Sequence, residues 1–451
     1  MSGIAELLVN IGFRVSGSDL RRSVITDRLE TLGVQIREGH DAMYVGDADL
    51  VVVSTAVPLD NVECVAAGRA GIQIISRGDM LAQLADLKRT VAVVGSHGKT
   101  TTTAMITFAL EFAGLDPTAI IGGRVSAFKS NARLGQGSVM VVEADESDRS
   151  FLRLSPEIAV LTNIDAEHLD AYDGMDDLVH AFSLFAGQVA KTGCVIACGD
   201  DARLRRVVQD VDGRVVIYGV DGESAHIRAY DVALSPIASS CMVRVVTETV
   251  TAKVNLRLAV PGRHNVHNAL AALAVGVQLG LSAEVIAEGL SRFTGADRRF
   301  QVVGDVNGVV VVDDYGHHPT EIEAVIATAR LRSPERLRIV FQPHRYSRTR
   351  RLLTEFGNAL AAADDVIVTD VYGAGEIPLQ GATAEAVADA VRRVSPISVQ
   401  VVNSLDDVPG IVAADARPGD VVVTLGAGSI GSVARSIVEA LRRRRSPERP
   451  V

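Results

Sequence analysis

Residues 91–103 read VAVVGSHGKTTTT, and this stretch predicts a strand, a glycine-rich turn and the start of a helix. Four apolar residues come first, and residues 104–112 continue in a helical pattern. A helix that begins at such a turn directs backbone N–H groups and the positive end of its dipole outward, which favours an anion. The ammonium group of Lys99 would contact phosphate oxygens, and the hydroxyl of Thr100 or Thr101 would bind Mg²⁺. The stretch therefore predicts a nucleotide phosphate site.

The turn is a shortened form of the common phosphate loop. The usual spacing places a glycine five residues before Gly98, but Val93 stands there, so the pattern reduces to Gly-x-x-Gly-Lys-Thr. A Gly-Lys-Thr tripeptide by itself would be interpreted as a surface turn. With the apolar run before it and the helical pattern after it, we predict that these residues bind the nucleotide: Gly95, Ser96, His97, Gly98, Lys99, Thr100 and Thr101.

The composition limits the classes of function. The 451 residues carry a formal net charge of −10, which argues against binding nucleic acid. The four cysteines are too few and too scattered for a disulfide framework. No apolar run reaches the roughly 20 residues that a membrane-spanning helix needs. We therefore expect a cytoplasmic protein, monomeric or homodimeric, that neither binds nucleic acid nor inserts into a membrane.

Strands and helices alternate along nearly the whole chain, which is typical of an α/β protein with doubly wound parallel sheets. We predict a Rossmann-like domain over residues 1–88, a central P-loop ATPase-like domain over 89–295 and a C-terminal Rossmann-like domain over 296–451. Residues 13–15 would form the first strand. Residues 214–260 alternate between apolar and polar side chains and would form a small antiparallel appendage. A doubly wound sheet normally begins with a strand and a glycine-rich turn. Because this chain opens inside an amphipathic helix, we expect that first strand to be missing.

Polar clusters follow two apolar runs of the central domain, 139–142 and 158–161. Ligands bind beyond the carboxyl ends of strands in open α/β sheets, so both clusters should face the phosphate loop. Glu143 would offer a carboxylate to Mg²⁺, unless it caps a helix or lies in a solvated loop. His168 would contact a second metal or the γ-phosphate, unless it is an ordinary loop histidine.

Further candidates follow in the chain. His264, Asn265 and Asn268 lie where a loop becomes a helix, and an Asn amide matches the N6 and N7 edge of adenine, although helix capping explains them equally well. The third domain has polar strand ends whose guanidinium and imidazole groups suit an amine and a carboxylate, with solvated loops as the alternative. These third-domain candidates are Asp314, Tyr315, His317, His344, Arg345 and Arg348. Residues 426–431, GAGSIG, match the dinucleotide fingerprint, but no strand and acidic residue follow at the required distance, so we interpret them as tight packing.

Together these motifs resemble the Mur ligase family. The matching segments are MSGIAE (1–6), GSHGKTTT (95–102), EADESD (143–148), DDYGHHPTE (313–321) and FQPHR (341–345). They run through nearly the whole chain in the family's order, which is more specific than any one of them. The resemblance implies a UDP-binding domain, an ATP-binding domain and a C-terminal domain that closes on both.

The resemblance also implies a chemistry, namely ATP-dependent amide formation in peptidoglycan precursor synthesis. The lactoyl carboxylate of UDP-N-acetylmuramate attacks the γ-phosphate of ATP, and the amine of L-alanine then displaces phosphate from the acyl phosphate. By this match Lys99 binds phosphates, Thr100 and Glu143 hold a first Mg²⁺, and His168 holds a second. The residues implied in catalysis are Lys99, Glu143, His168, His317, His344 and Arg345.

The remaining implied roles concern binding. His264, Asn265 and Asn268 would contact adenine. Contacts to the UDP part would come from Ser18, Asp19, Ser54, Thr55 and Ala56. Alanine and the muramyl carboxylate would be placed by Asp314, Tyr315, His317, His344, Arg345 and Arg348.

Alternative functions stay open on the residues alone. The nearest is a ligase of the same family that joins a preformed tripeptide to UDP-N-acetylmuramate. A nucleotide-binding switch without ligase chemistry and an NAD-dependent oxidoreductase are less favoured. Members of the family carry a strand and a Gly-x-Gly-Gly-x-Gly turn directly before the MSGIA segment. For a chain that starts at Met1 we therefore expect weak binding of the UDP substrate and low stability, with an in-frame start upstream as one explanation.

Overall fold

The computed structural model describes residues 1–125, 128, 130–247 and 251–444. It contains two compact units. The first comprises Met1–Val232, Ser240–Leu258 and Asn265–Thr294, and the second Ala233–Ser239, Ala259–His264 and Gly295–Val451. The predicted boundaries of three domains stay a prediction.

The first 88 residues form short strands and helices. They are α1 (Ser2–Asn10), β1 (Ser16–Asp19), α2 (Val24–Thr31), β2 (Gln35–Glu38), β3 (Leu50–Val53), α3 (Val62–Ala70), β4 (Gln73–Ser76) and α4 (Arg77–Ala85). β1 pairs in parallel with β2, and β3 with β4, in two separate two-stranded sheets. The strand predicted at residues 13–15 is wrong, because the chain pairs at Ser16–Asp19 and leaves Phe13 61% exposed.

A ten-stranded sheet dominates the rest of the first unit. Its elements are β5 (Arg89–Val94), α5 (Lys99–Phe112), β6 (Thr118–Val125), β7 (Ser130–Arg133), β8 (Val139–Glu143), β9 (Ile158–Leu161), α6 (Met175–Gly187), β10 (Cys194–Cys198), α7 (Ala202–Gln209), β11 (Arg214–Gly219), β12 (Ile227–Leu234), β13 (Ser239–Val246) and β14 (Thr251–Leu258), followed by α8 (Arg263–Gln278) and α9 (Ala283–Ser291). The strand order is β14-β13-β12-β11-β10-β9-β5-β8-β6-β7.

The order of these strands positions the site. β5 lies between β8 and β9 and runs parallel to both, so the residues after β8 and β9 flank the loop that follows β5. The predicted antiparallel appendage is wrong for its first strands, since β11 runs parallel to β10 and to β12 and extends the same sheet. An alternation of apolar and polar residues indicates a strand, but it does not specify whether the neighbouring strand is parallel or antiparallel.

The third group of elements builds a six-stranded sheet. It consists of β15 (Gln301–Val306), β16 (Val309–Asp314), α10 (Pro319–Arg330), β17 (Arg336–Phe341), α11 (Tyr346–Arg351), α12 (Leu353–Leu360), β18 (Asp365–Thr369), α13 (Ala384–Val394), β19 (Ser398–Val402), α14 (Val408–Asp415), β20 (Asp420–Leu425) and α15 (Val433–Arg443). The order is β15-β16-β20-β17-β18-β19, and only the pairing of β15 with β16 is antiparallel among these described strands.

Both faces of the six-stranded sheet are covered by helices. Ile339 and Phe341 of β17 belong to one buried cluster, which includes Phe356 of α12. Val340, the residue between them, belongs to a second cluster, which includes Ile437 of α15. Since successive residues of a strand point to opposite faces, the sheet is doubly wound. The predicted α/β fold class is confirmed. Within the described ranges, no helix is long and apolar enough to cross a membrane.

Candidate functional site

The phosphate loop, residues 95–101, connects β5 to α5. Gly95 has a φ of 149° and Gly98 a φ of 81°, a region that side chains disfavour. A Cβ atom on Gly95 would collide with the Thr162 hydroxyl, and one on Gly98 would lie 2.8 Å from Asn268 Oδ1. Both glycines are therefore required by conformation and by close neighbours. Thr101 is buried in the first turn of α5.

Residues that follow β9 hold the phosphate loop. The Asn163 side chain accepts a hydrogen bond from the backbone N–H of His97 (2.8 Å) and donates to its carbonyl (3.0 Å). The Thr162 hydroxyl donates to the same carbonyl at 2.8 Å. The Asp165 carboxylate lies 2.9 Å from His97 Nε2, and the backbone N–H of Asp165 donates to the Ser96 hydroxyl. The cluster after β9 thus faces the loop, as the strand-end argument predicted.

Lys99 is held inside the loop by a buried carboxylate. Its ammonium group donates to Glu146 Oε1 at 2.8 Å and to the Gly95 carbonyl at 2.6 Å. Burial lowers the pKa of Lys99, but Glu146, with Glu167 and Glu143, more than offsets this and raises it to about 12. Burial raises the pKa of Glu146 to about 7, against the opposing effect of Lys99. A phosphate group must therefore compete with Glu146 for this cation.

The candidate metal ligands lie beside the loop. The Thr100 hydroxyl donates to Glu143 Oε1 at 2.9 Å, and the Gly122 N–H donates to Glu143 Oε2 at 2.5 Å. His168, at the left-handed φ of 54°, places Nε2 3.7 Å from Glu146 Oε1. A hydroxyl and a fixed carboxylate next to a phosphate site are the hard oxygen donors that Mg²⁺ prefers, so these residues fit the ion.

The candidate adenine contacts lie in the first two turns of α8, where His264, Asn265 and Asn268 are found. Asn268 accepts a hydrogen bond from the Thr102 hydroxyl (3.1 Å) and donates to Asn265 Oδ1 (3.3 Å). Both amides are more than nine-tenths buried. They link α8 to α5 directly behind the phosphate loop.

The residues predicted to contact the UDP part lie at the ends of β1 and β3. The Ser18 hydroxyl is 3.2 Å from His40 Nδ1, which also lies 2.9 Å from Glu63 Oε1. Asp19 Oδ1 accepts the N–H of Arg21. Sequence reasoning missed His40, whose only signal is its place in a polar turn after a short strand.

The other predicted UDP contacts are Ser54, Thr55 and Ala56, which form the turn after β3. The Ser54 hydroxyl accepts the N–H of Ala56 at 3.3 Å. Because β1 and β3 belong to different two-stranded sheets, backbone pairing does not bring these two groups together.

In the second unit, five predicted site residues and Tyr372, which was not predicted, form a basic-aromatic cluster. It is defined by Tyr315, His317, His344, Arg345, Arg348 and Tyr372. Ring centroids are 5.5 Å apart for Tyr315 and His317, and 5.6 Å apart for His317 and His344. Tyr372 stacks on His344 at 5.5 Å with an interplanar angle of 13°. Arg348 Nη1 lies 3.1 Å from His344 Nδ1. The strand ends of β16, β17 and β18 thus supply one continuous group of rings.

Arg345 occupies a strained position in this cluster. Its φ is 66°, a value uncommon for residues other than glycine and often found at functional sites. Its N–H donates to the Tyr372 carbonyl at 2.8 Å, and Nη1 lies 3.8 Å from Glu376 Oε1. Glu376 also accepts the N–H and the hydroxyl of Ser347, at the start of α11. These contacts fix the backbone of Arg345 against Tyr372 and place its guanidinium group near Glu376.

Asp314 is buried beneath the cluster's first loop. Its carboxylate accepts the N–H groups of Phe300 and Gly316, each at 2.6 Å. Burial raises its pKa to about 6. Its contacts therefore shape the backbone around Tyr315, and its direct role in substrate binding stays a prediction.

The GAGSIG turn packs tightly at the end of β20. Gln342 Oε1 accepts the N–H of Ile430 at 2.9 Å, and a Cβ atom on Gly428 would lie 2.6 Å from that oxygen and from the Tyr372 ring. This packing agrees with the interpretation of the turn as a close helix–sheet contact.

Sequence reasoning missed Glu146, Tyr372 and Glu376 as parts of these groups. Glu146 lies within the acidic run EADESD, and the other two follow β18 in DVYGAGE. Polar or aromatic residues just after a buried strand were the signal, but their partners are distant in the sequence.

Comparison with protein families gives three matches that follow one another along the chain. Residues 1–89 match the catalytic domain of the Mur ligase family, residues 93–276 the Mur ligase middle domain, and residues 298–428 the Mur ligase glutamate ligase domain. The chain is similar to the UDP-N-acetylmuramate–L-alanine ligase of Syntrophus aciditrophicus, with 45% identity over 442 residues that cover 98% of this chain and 91% of that protein.

Solved structures show the same relationship. The UDP-N-acetylmuramate–alanine ligase of Thermotoga maritima has a TM-score of 0.83 at 29% identity, covering 99% of this chain and 97% of that one. A murein peptide ligase from Psychrobacter arcticus has a TM-score of 0.73 at 26% identity, covering 98% and 96%. With close to half of its residues identical to a full-length relative, this chain belongs to the Mur ligase family.

Proposed function

We propose that this chain joins L-alanine to the lactoyl carboxylate of UDP-N-acetylmuramate, with ATP as the energy source, in the synthesis of peptidoglycan precursors. The observation that carries the proposal is the phosphate loop, where Lys99 donates to Glu146 and the Thr100 hydroxyl donates to Glu143. The ligase named in Syntrophus aciditrophicus, 45% identical, supports the choice of substrates.

The first half-reaction forms an acyl phosphate. The lactoyl carboxylate attacks the γ-phosphorus, the bond from that phosphorus to the β-phosphate oxygen breaks, and ADP leaves. Lys99 neutralises charge on the phosphate oxygens, while Thr100 and Glu143 hold one Mg²⁺ and His168 a second. When bound, the ions screen the repulsion between the carboxylate and the triphosphate.

The second half-reaction forms the amide. Arg345 and Arg348 bind the carboxylate of L-alanine, since guanidinium groups match carboxylates. Nδ1 of His317 lies 3.1 Å from the Tyr315 carbonyl oxygen, which can only accept, so Nδ1 carries hydrogen. In the neutral form of this ring, Nε2 has the lone pair. His317 Nε2 takes a proton from the ammonium group, the amine attacks the acyl carbonyl, and inorganic phosphate leaves.

His344 plays a different part because its tautomer differs. Arg348 Nη1 can only donate, so His344 Nδ1 accepts and Nε2 carries hydrogen. That N–H would stabilise the oxyanion that develops at the acyl carbon.

The other predicted sites complete the proposal. His264, Asn265 and Asn268 bind adenine, and Asp314 and Tyr315 help to place alanine. The UDP part is bound by Ser18, Asp19, Ser54, Thr55 and Ala56. The three domains are residues 1–88, 89–295 and 296–451.

ADP release tests the proposal against its rivals. The full chain is supplied with ATP, Mg²⁺ and UDP-N-acetylmuramate, together with L-alanine, a preformed wall tripeptide or no amine. Of these three reactions, we expect sustained ADP release only in the one that contains L-alanine. The similarity to a murein peptide ligase makes the tripeptide the informative rival, and preference for it would overturn the proposed substrate. Release that ignores the amine would overturn the ligase chemistry.

Replacing Glu143 by Gln tests the metal assignment. This removes a charged oxygen ligand, so we expect a loss of about 10²-fold in turnover at low Mg²⁺ and partial recovery at high Mg²⁺. Asp176→Asn, an exposed change on α6, is the matched control. An unchanged Mg²⁺ dependence in Glu143→Gln would contradict the assignment.

A further inference from the structure

Three side chains of the metal-ligating kind meet in the first unit, apart from the phosphate loop. Cys198 ends β10, Asp200 lies in the next turn and His267 projects from α8. One ligand atom from each lies within 4.8 Å of the other two, and His267 Nε2 is 2.8 Å from Asp200 Oδ2. We refer to these three residues as the thiol cluster.

The carboxylate of the thiol cluster is held in place by the backbone. Asp200 accepts the N–H groups of Val220, Asp221 and Gly222 at 2.7, 3.1 and 3.2 Å. A Cβ atom on Gly219 would lie 2.7 Å from Oδ1, so this approach depends on glycine. Preorganised ligands of this kind reduce the entropy lost when an ion binds.

Burial dominates the environment of the sulfur. It raises the pKa of Cys198 to about 11, so the thiol alone is protonated at neutral pH. The carboxylates of Asp200 and Asp201 raise this pKa further, against the opposing effect of the backbone N–H groups of the same two residues. A divalent cation between the sulfur and Asp200 would supply the positive charge that a thiolate needs here.

We propose that the thiol cluster binds one divalent cation of the zinc class through Cys198 Sγ, an Asp200 carboxylate oxygen and His267 Nε2. Thiolate, imidazole and carboxylate are the ligands that zinc takes in proteins. The two negative charges of thiolate and carboxylate balance the ion, and the thiol proton is released. The hydrogen that His267 Nε2 donates to Asp200 relocates through solvent to Nδ1, so that Nε2 presents its lone pair to the ion. The His267 and Asp200 side chains are 23% and 13% exposed, so water can supply the fourth ligand and the ion has a route of entry.

This site differs in selectivity from the ions of the phosphate loop. Mg²⁺ prefers oxygen ligands, whereas a sulfur and a nitrogen ligand favour Zn²⁺ or Co²⁺. The competing interpretation is that the Asp200–His267 hydrogen bond only ties α8 to the loop at residues 220–222, with Cys198 as a core side chain. Ligation by sulfur separates the two.

Cobalt titration of the metal-stripped full chain is the test. Co²⁺ bound by a thiolate gives a near-ultraviolet charge-transfer band that oxygen and nitrogen ligands do not give. Ions bound at the phosphate loop therefore do not contribute to this band. We expect one equivalent of Co²⁺ to produce the band, and added Zn²⁺ to abolish it. His267→Gln keeps a donor for Asp200 but removes the imidazole, and we expect it to weaken Co²⁺ binding by about 10-fold or more.

Cysteine variants complete the test. Cys198→Ser should lose the band, whereas Cys194→Ser, a buried thiol on the same strand, should keep it. Thermal unfolding gives a second readout, because Zn²⁺ should raise the melting temperature of wild type and Cys194→Ser but not of His267→Gln. The proposal is overturned if wild type gives no band, or if the band survives unchanged in Cys198→Ser and His267→Gln.

Discussion

The phosphate loop and the basic-aromatic cluster both follow the carboxyl ends of parallel strands, but they are stabilised in different ways. Backbone conformation builds the phosphate loop, through Gly95 and Gly98, and its one cation, Lys99, is paired with the buried Glu146. Ring stacking organises the basic-aromatic cluster, where Arg348 Nη1 lies 3.1 Å from His344 Nδ1 and Arg345 Nη1 lies 3.8 Å from Glu376 Oε1.

The difference indicates a division of labour. Lys99 is already paired with a carboxylate, so only a highly charged ligand can compete for it. The triphosphate of ATP is such a ligand. In the proposed function, the guanidinium groups of the second unit bind the single carboxylate of an amino acid, whose planar shape they match. Under the proposed function, the carboxyl edge of the sheet would serve phosphoryl transfer in the first unit and amine addition in the second.

The largest effect should come from Lys99→Met. Removing the ammonium group should lower turnover by about 10²–10³-fold, since it takes away charge stabilisation where phosphate charge develops. The ADP-release assay measures this, with Lys191→Met, an exposed change, as the control.

Lys99→Met also leaves Glu146 buried without its cation, so stability must be separated from chemistry. In the double variant with Glu146→Gln we expect thermal stability to recover while activity stays lost. Recovery of turnover in the double variant would contradict the role given to Lys99.

Asp314→Asn probes a buried carboxylate that accepts hydrogen bonds from backbone N–H groups and has Arg299 as a nearby positive charge. Its pKa is raised from 3.8 to about 6, so the folded state binds the proton more tightly than the unfolded state. The free energy of unfolding of wild type should therefore fall, relative to the variant, by up to about 3 kcal/mol as the pH rises from below 3.8 to above 6.

Chemical denaturation across this pH range measures the Asp314 effect. Any hydrogen bond that the Asn side chain loses adds a constant offset, so the change with pH is the diagnostic quantity. Asp305→Asn, on the exposed side of β15, should follow wild type at every pH. A difference between wild type and Asp314→Asn that does not vary with pH would refute this account of the carboxylate.

Arg345→Ala should act on the amino acid and leave the nucleotide alone. Loss of a charged hydrogen bond of about 1.5–3 kcal/mol should raise the KM for L-alanine by about 10- to 100-fold, with the KM for ATP within twofold. Arg351→Ala, an exposed change on the same helix α11, is the matched control. An equal rise in the KM for L-alanine and the KM for ATP would contradict the assignment of Arg345 to the amino acid.

The smallest effect should come from Tyr372. Tyr372→Leu removes the ring that stacks on His344, so we expect the KM for L-alanine to rise by about two- to tenfold. Tyr372→Phe keeps the stacked ring and should behave like wild type. If the two variants lose activity equally, the hydroxyl matters and the stacking account fails.

The sequence predicted what depends on local pattern. The α/β class, the family and the phosphate loop follow from alternating elements and from a motif whose geometry is built within a few residues, and the class and family are confirmed. The prediction of a strand at residues 13–15 was wrong because pairing with β2, and not local β propensity, decides which residues form the strand. That pairing places the polar residues Ser16–Asp19 in β1.

What the sequence could not predict depends on distant partners. The direction of β11 and β12 is set by neighbouring strands, and the capture of Lys99 by Glu146 joins residues 47 positions apart. The stacking of Tyr372 on His344 relies on a bridge between two strand ends. The individual roles of the site residues and the three domain boundaries stay predictions.

Isotope transfer tests most directly the central claim that an activated acyl phosphate links the two half-reactions. UDP-N-acetylmuramate labelled with heavy oxygen in its lactoyl carboxylate is turned over with ATP and L-alanine, and the inorganic phosphate is analysed by mass spectrometry. The account predicts one labelled oxygen in each phosphate released, because the carboxylate oxygen that attacks the γ-phosphorus leaves with it. Unlabelled phosphate alongside the amide product would contradict the mechanism.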